Sequence, residues 1–493
     1  MVEVTPTTAS AADKGYQLID PGYPHRSFLL KKVNNGLDND NGIVMPDDGG
    51  PMPPYGNIPL TPSEIDLINV WILFGAPQTG EVVDYQVIQD YHNGMGMVPL
   101  ARPAAPDSAD GFQIHYGPFF LAPGEQVEYF NKHDIQLPDT LEITRLETAI
   151  NGVSHHFIAW RWGSASDAAN TPDGLRVING FQDALFTLYN TPIAAWQFSY
   201  GFDLPEGTAY FWDPSTVLDL DYHVINYDQD SVLKAEVYMN FYVRPRQPET
   251  VEMYSDGKIY ANGLPFPLSD FNIVNNSQDI TFTETFNDPG SSETWNIWMF
   301  SSHTHKYGKD FDIYLRNSDG TKGQQVYEGF YNTDYSFDQG YFDYEHPALR
   351  YFEPLMPVPA KDGLIHEAVF NNNGSNTVTF GLTTNEEMMV TYTQYTPQPP
   401  VVAIDENAPV ESLFHVYPNP ATGPIMVLAK EPLAEAATIA LFDPMGKQVL
   451  AMTLPLSVPT AISWQDKGIQ PGLYIVHIST GGHSFSERVL LLE

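Results

Sequence analysis

Cysteine is absent from all 493 residues. Disulfides, thiolate metal sites, iron–sulfur clusters and thioether-attached haem are therefore excluded within this chain. Any metal it holds must be bound by His, Met, Asp or Glu. Zero cysteine does not by itself fix the compartment. Basic residues are also scarce: 23 Lys and Arg stand against 61 Asp and Glu, a net charge of −38. Nucleic acid is disfavoured as a partner, because binding it needs a basic surface. An anionic membrane surface is disfavoured for the same reason. The acidity suits a soluble secreted protein, although charge bears on solubility and not on fold. No apolar run approaches the ~18 residues of a transmembrane helix. The opening Met1-Val2-Glu3-Val4-Thr5 lacks the basic and apolar regions of a signal peptide. Either the chain is cytoplasmic or it begins downstream of its natural start, and the second is the expectation.

What remains is rich in aromatics, with 41 Pro and 37 Gly. Short alternating segments between turn residues indicate a mainly β chain. At ~150 residues per domain the length implies three or four domains. Residues 1–80 form a small unit with one clear helix. Thr61 caps it, Pro62 occupies its first position, Glu64 completes a capping box, and Gly75 ends it. A Pro/Ala-rich stretch, Pro99 to Pro106, leads to a region of period two from Phe112 onward. Ala235 to Val243 alternates as a half-buried strand should. Arg244-Pro245-Arg246-Gln247-Pro248 interrupts it, dividing a unit at 81–246 from one at 247–397. A linker follows at 398–409, and 410–493 reads as a small antiparallel sandwich.

Histidine carries the chemical signal. Only 14 are present, and four fall in two clusters, His155-His156 and His303-Thr304-His305. His223 stands in a strand-like segment after the first pair, and Met388 in another after the second. Imidazole with thioether suits copper, Cu(I) especially. Three histidines and water also suit zinc, but Met388 argues against zinc at the second site. In a strand, residues i and i+2 face one way, so His303 and His305 can bind one ion side by side. Adjacent His155 and His156 normally face apart, and share an ion only at a strand end or a bulge. His92, His115, His133, His346 and His366 lack paired spacing; His115 and His133 are candidates for a supporting role beside the first site.

These motifs together resemble a known family. Val153-Ser154-His155-His156-Phe157, Leu220 to Tyr227 around His223, Ser302-His303-Thr304-His305-Lys306-Tyr307-Gly308-Lys309 and Thr384-Asn385-Glu386-Glu387-Met388-Met389 agree in order and spacing with the copper type II ascorbate-dependent monooxygenases. That is the family of peptidylglycine α-hydroxylating monooxygenase and dopamine β-monooxygenase. The resemblance spans Phe112 to Tyr395. It implies two consecutive antiparallel, jelly-roll-like β-sandwich domains with one copper in each. His155, His156 and His223 would hold the electron-transfer copper; His303, His305 and Met388 would hold the oxygen-binding copper. The implied reaction hydroxylates a C–H bond of a small molecule or peptide, with O2 and a donor such as ascorbate or a cytochrome. Tyr392 matches a substrate-site tyrosine, although a strand aromatic explains it equally well. The chain departs from the pattern in lacking cysteine, with Met389 after Met388, and in carrying Ser301 where peptide-hydroxylating members place an arginine. Bidentate binding of a substrate carboxylate is lost there.

The flanks resemble other families. Pro21-Gly22-Tyr23-Pro24, Ser27-Phe28-Leu29, Met45-Pro46 and Ile68 to Pro77 are similar to the later part of a cytochrome-c-like domain, with Met45 or Met52 as the implied haem ligand. The attachment motif is missing, so haem c cannot be attached in this chain. Asp38-Asn39-Asp40-Asn41-Gly42 reads as a solvated turn, lacking the bidentate Glu of a Ca²⁺ loop. Val416-Tyr417-Pro418-Asn419-Pro420, Leu441 to Lys447, Gly472 to Val476 and Glu487 to Leu490 resemble the type A sorting domain of the type IX secretion system. That implies export by this machinery to the cell exterior. The expected protein is a secreted or surface copper monooxygenase. Its rivals are a surface copper-binding or adhesive module without turnover, and a structural zinc protein.

Overall fold

The computed structural model describes the chain except residues 35–48, 55, 152–153, 178–189, 197–198, 260–270, 331–346, 382–385, 401–413, 430–435, 444–446, 455–459, 481–482 and 493. Met45, His346 and the Asp38–Gly42 turn lie outside the described residues. The chain divides into two compact units, Met1–Val401 and Val402–Glu493. Strands dominate both. Among the described residues no helix is long and apolar enough to cross a membrane.

The first unit opens with helices. Pro62–Leu73 is built as its sequence dictates: the Thr61 side chain accepts from the Glu64 backbone, and the Glu64 carboxylate accepts from Thr61 N at 2.8 Å. Gly75 follows the helix at φ 86°, where its N–H reaches the Ile72 carbonyl. Ile65 and Ile72 face Ile19, Leu30 and Val33 in a small core. Val70, on another side, packs with Phe120 and Val232 of the following domain. Met52, one of the two methionines singled out as a haem ligand, is half exposed.

Two sheets form the next domain. One runs Gly111–Leu121, Leu233–Pro245, Leu141–Ile150, Thr208–Trp212 and Val251–Glu252, with Tyr200–Asp203 also on Leu141–Ile150. The other runs Leu175–Val177, Gln126–Asp134, Val217–Ile225, Ser154–Arg161 and Thr191–Trp196. Their facing side chains, including Tyr116, Leu146, Phe157, Tyr222, Val237 and Phe241, make one core. The strand Leu233–Pro245 differs from its expected half-burial, because both its faces are covered. Its polar positions are occupied instead of solvated. Asn240 donates to the Ala104 carbonyl of the Pro/Ala-rich stretch at 2.8 Å, and Glu236 lies beside Lys234 and His115.

A second pair of sheets follows. Tyr254–Ile259, Val390–Thr396, Thr294–His303 and Arg350–Pro359 form one; Asp279–Phe286, Leu364–Asn371, Gly308–Arg316 and Lys322–Glu328 form the other. Phe271, Phe300, Phe311, Tyr327 and Phe370 fill the space between. The segment joining the two sandwiches is tied down at Glu142, which is fully buried. Its carboxylate accepts from Arg244 Nε, Arg246, Gln247 N and the Thr250 hydroxyl at 2.7–3.0 Å. Burial pushes its pKa up, but these bonds override burial and hold it below the ordinary range.

The second unit is a small sandwich by itself. Phe414–Tyr417, Ile425–Ala429 and Thr460–Ile462 face Gln448–Leu454, Ala437–Phe442, Gly472–Thr480 and His483–Leu491. Trp464, Ile425, Val427, Val476 and Val489 make its core.

Replacing Thr61 with Ala removes the helix cap and should lower stability by about 1 kcal/mol. Urea denaturation followed by far-UV circular dichroism measures this, and an unchanged midpoint would mean that the capping box contributes nothing.

Candidate metal centre

Register explains how adjacent histidines come to share a face. Along the pairing of Ser154–Arg161 with Val217–Ile225, Ser154 lies opposite Val224 and His156 opposite His223. Two steps on one strand match one on the other, so His155 is the extra residue of a β-bulge. The bulge turns its ring to the side already occupied by His156 and His223. Ring centres lie 5.3 Å apart for His155–His156, 4.6 Å for His155–His223 and 5.2 Å for His156–His223. One ligand atom from each falls within 4.8 Å of the others.

The second set forms differently from expectation. The strand Thr294–His303 stops at His303, and His305 lies beyond it. Ladder geometry therefore does not hold the pair side by side. The Glu387 carboxylate holds His305 instead. It accepts from His305 N at 2.8 Å, Tyr307 N at 2.6 Å and Met388 N at 3.2 Å. One fully buried side chain thus fixes the backbone of both His305 and Met388. Burial pushes its pKa up to about 7. His305 Nδ1 reaches the Glu386 carbonyl at 3.0 Å, which sets it as the N–H and makes Nε2 the lone-pair nitrogen of the neutral ring. Gly308 closes the turn where a Cβ would come within 2.2 Å of Thr304 Oγ1. Met388 is half-buried against the second core.

The two sets meet across the sandwich boundary. His155 lies 6.0 Å from His303 and 5.8 Å from His305, and His156 lies 5.9 Å from His303, ring centre to ring centre. Five imidazoles therefore occupy one place. His155, His223, His303 and His305 are each at most 8% exposed. Burial holds His156, His223 and His303 well below the usual histidine range, and His155 down to about 4. These four are neutral and ready to ligate at pH 7.

Unpaired nitrogens test the fit to a metal. Both ring nitrogens of His155 and Nδ1 of His156 and His223 are buried without a hydrogen-bond partner. Such groups are costly unless something coordinates them. The other nitrogens of two rings are engaged. The Gln126 amide holds His223 Nε2 at 2.6 Å, and Glu128 lies 3.8 Å from His156 Nε2. Nδ1 is thus the ligating nitrogen on His156, whose Nε2–H faces the Glu128 carboxylate, and on His223 once the Gln126 amide turns its carbonyl oxygen toward Nε2. The donor set fits copper or zinc. Gln126, Glu128, Glu387 and the Glu386 carbonyl were not singled out by sequence reasoning. Period-two spacing of Gln126 and Glu128 was the available signal for one pair, and adjacency to Met388 for Glu387.

Glu128 lies beside Asp221, which accepts from Trp160 Nε1 at 3.2 Å. Burial raises both carboxyl pKa values, that of Glu128 to about 7. Tyr392 lies opposite Ser301, on the face that carries His303, and packs against Phe130, Ile158 and Trp160. Burial raises its hydroxyl pKa, with Asp221 adding to the effect. His115 and His133, weighed as supporting candidates beside the first site, are turned toward the N-terminal helices. They share a small cavity with His25, Gly22 and Asn69. His92 pairs with Asp66 at 2.8 Å, and buried His366 contacts Thr391 Oγ1 at 2.9 Å.

Comparison with known proteins identifies the tail. The secretion system C-terminal sorting domain family matches residues 415–491. The protein is accordingly secreted and attached at the cell surface by the type IX secretion system. No curated protein matches this chain. Among solved structures, PorZ, a surface component of the type IX secretion system of Porphyromonas gingivalis, is 14% identical at a TM-score of 0.15, covering 20% of this chain and 14% of its own. A β-glucuronidase of Faecalibacterium prausnitzii is 11% identical at 0.13, covering 50% and 47%. That of Ruminococcus gnavus is 12% identical at 0.15, covering 50% and 46%. At these scores none bears on chemistry.

Glu387→Gln puts an amide N–H where a backbone N–H must be accepted. Metal affinity at His303 and His305 should fall by about 10–100-fold, as measured by chelator competition; an unchanged affinity would show that the loop holds without the carboxylate. The metal-free chain should lose stability as pH falls below 6.5. Unfolded histidines take up protons there, whereas His155 and His133 stay neutral to about 4 and about 3. Each imidazole held neutral contributes a slope of about 1.4 kcal/mol per pH unit. Denaturation midpoints that stay flat from pH 7 to pH 5 would contradict this.

Proposed function

We propose that this exported surface protein is a copper-dependent monooxygenase that hydroxylates a C–H bond with O2 and an external reductant. The observation that carries the reading is the convergence of His155, His156, His223, His303 and His305 on one place, with His155 bearing two unpartnered buried nitrogens. Four separated sequence motifs contribute to that place or, at Met388, are tied to it through Glu387. A soft imidazole and thioether set favours copper over zinc.

The chemistry supplied by bound copper would be O2 activation and one-electron transfer. The balance is R–H, O2, two electrons and two protons giving R–OH and water. The chain's own residues do the rest. Gln126 and Glu128 orient the His223 and His156 rings from behind. Glu387 fixes the loop carrying His305 and the start of the segment carrying Met388. The Glu128–Asp221 pair sits next to His156 as a buried proton reservoir. Ser301, buried on the face of His303 and Tyr392, offers no cationic fork for a substrate carboxylate. A substrate with a free carboxylate anchored there is not expected. Electrons would come from a small reductant such as ascorbate or from a cytochrome.

A second reading is favoured by one observation. The ligating histidines are at most 8% exposed apart from His156, which suits a copper-holding surface module without turnover. Oxygen uptake by copper-loaded protein, with ascorbate and candidate substrates, separates the two. Uptake that requires both substrate and copper, and disappears in His303→Ala, is the expected result. Stoichiometric copper with uptake indifferent to every substrate would leave the binding module.

A further inference from the structure

The second sandwich has a cavity of its own, between its two sheets and away from the histidines. Trp295 and Ile297 line it from the strand that ends in His303. Six residues of strand separate Ile297 from that histidine, a distance of about 20 Å. On the same sheet Tyr395 lies opposite Ile297, and Asp256 comes from the edge strand Tyr254–Ile259. Phe286, Leu364 and His366 face them from the other sheet.

Aromatic rings dominate these walls. Trp295 and Tyr395 stand 6.2 Å apart, ring centre to ring centre, at 57°. Tyr254 stacks on Tyr395 at 5.9 Å and stiffens it. Phe286 packs on His366 at 4.4 Å. Trp295, Tyr395, Phe286 and Asp256 are each half-buried and form the mouth, whereas Ile297, Leu364 and His366 are buried and form the floor. A sandwich core closed only for packing needs no carboxylate at such a place. The charge here is of one sign. Burial, then Asp256, Tyr254 and Glu293, push the Tyr395 hydroxyl up to about 12, and no basic side chain among the described residues acts on it.

Size narrows the ligand. The cavity measures about 40 Å³. That is room for about three waters, or roughly 90 Å³ of liquid volume, the bulk of a trimethylammonium group. A sugar ring or a peptide segment is too large. Electron-rich ring faces around a small space, with a carboxylate at the rim, attract a weakly hydrated cation.

We infer that this cavity binds a small methylated ammonium group, held against the faces of Trp295, Tyr395 and Phe286 and balanced by the Asp256 carboxylate. The inference is independent of the copper reading, since no residue of the cavity is a metal ligand.

The test is calorimetric titration of the full chain with choline chloride, at ionic strength matched by sodium chloride. 3,3-Dimethyl-1-butanol, which has carbon in place of the charged nitrogen, is the control. Choline should saturate one site per chain, and the neutral alcohol should bind at least about tenfold more weakly. Trp295→Leu should weaken choline about tenfold. If that variant fails to fold, Asp256→Asn, on an edge strand, carries the test: choline should weaken about 5–10-fold while the alcohol is unaffected. Co-sedimentation with phosphatidylcholine vesicles, expected for a lipid headgroup and not for a free solute, tells which source supplies the group. Equal affinity for choline and the alcohol would overturn the inference and leave an apolar gap. Absence of binding by both, or choline binding indifferent to both substitutions, would overturn it as well.

Discussion

Trp298 leaves its own sandwich to fill the core of the other, and the arrangement of the histidines depends on that insertion. Its strand ends at His303, so the depth of the indole fixes where the second histidine set stands relative to the first. Fully burying such a side chain is worth several kcal/mol. The energy is apolar and local, but its consequence is polar and lies at the end of the strand. A cluster of neutral imidazoles would otherwise be an expensive object to bury, since each unpaired nitrogen costs what a lost hydrogen bond costs. Packing along the seam supplies the offset, and a coordinated ion would supply the rest.

Much of the β architecture was legible because period-two patterns and turn residues mark strands directly. The Thr61–Gly75 helix was legible because capping is local chemistry. The burial of Leu233–Pro245 was not, since its polar alternation at Glu236 and Asn240 signals solvent unless one knows that Ala104 passes over it. At the site, the His155–His156 pair forced a choice between a strand end and a bulge, and register decides for the bulge. The reading of His303 and His305 as neighbours on a strand was incorrect, because the strand ends between them. What replaces the ladder is Glu387, about eighty residues away in sequence. Sequence spacing carries no information about such a contact. The convergence of both sets was invisible for the same reason.

Burial without compensation is concentrated here. Glu128 and Asp221 share one region with His156, and their carboxyl groups are pushed toward the neutral form while the imidazoles are pushed there from the other side. Carboxyl and imidazole are thereby both driven toward their uncharged forms, and the carboxyl groups hold the proton in preference to the imidazole.

Glu142 has a different kind of consequence. Buried and bonded to Arg244, Arg246, Gln247 and Thr250, it makes the passage between the sandwiches a weld instead of a tether. A recombination event that separated the two halves would strand a carboxylate in one and an indole in the other. Such halves have no separate life as modules. Lineages that reshuffle surface domains in front of a sorting tail would have to inherit this pair as one indivisible cassette, and the boundary worth searching for in related genomes lies outside the pair, not within it.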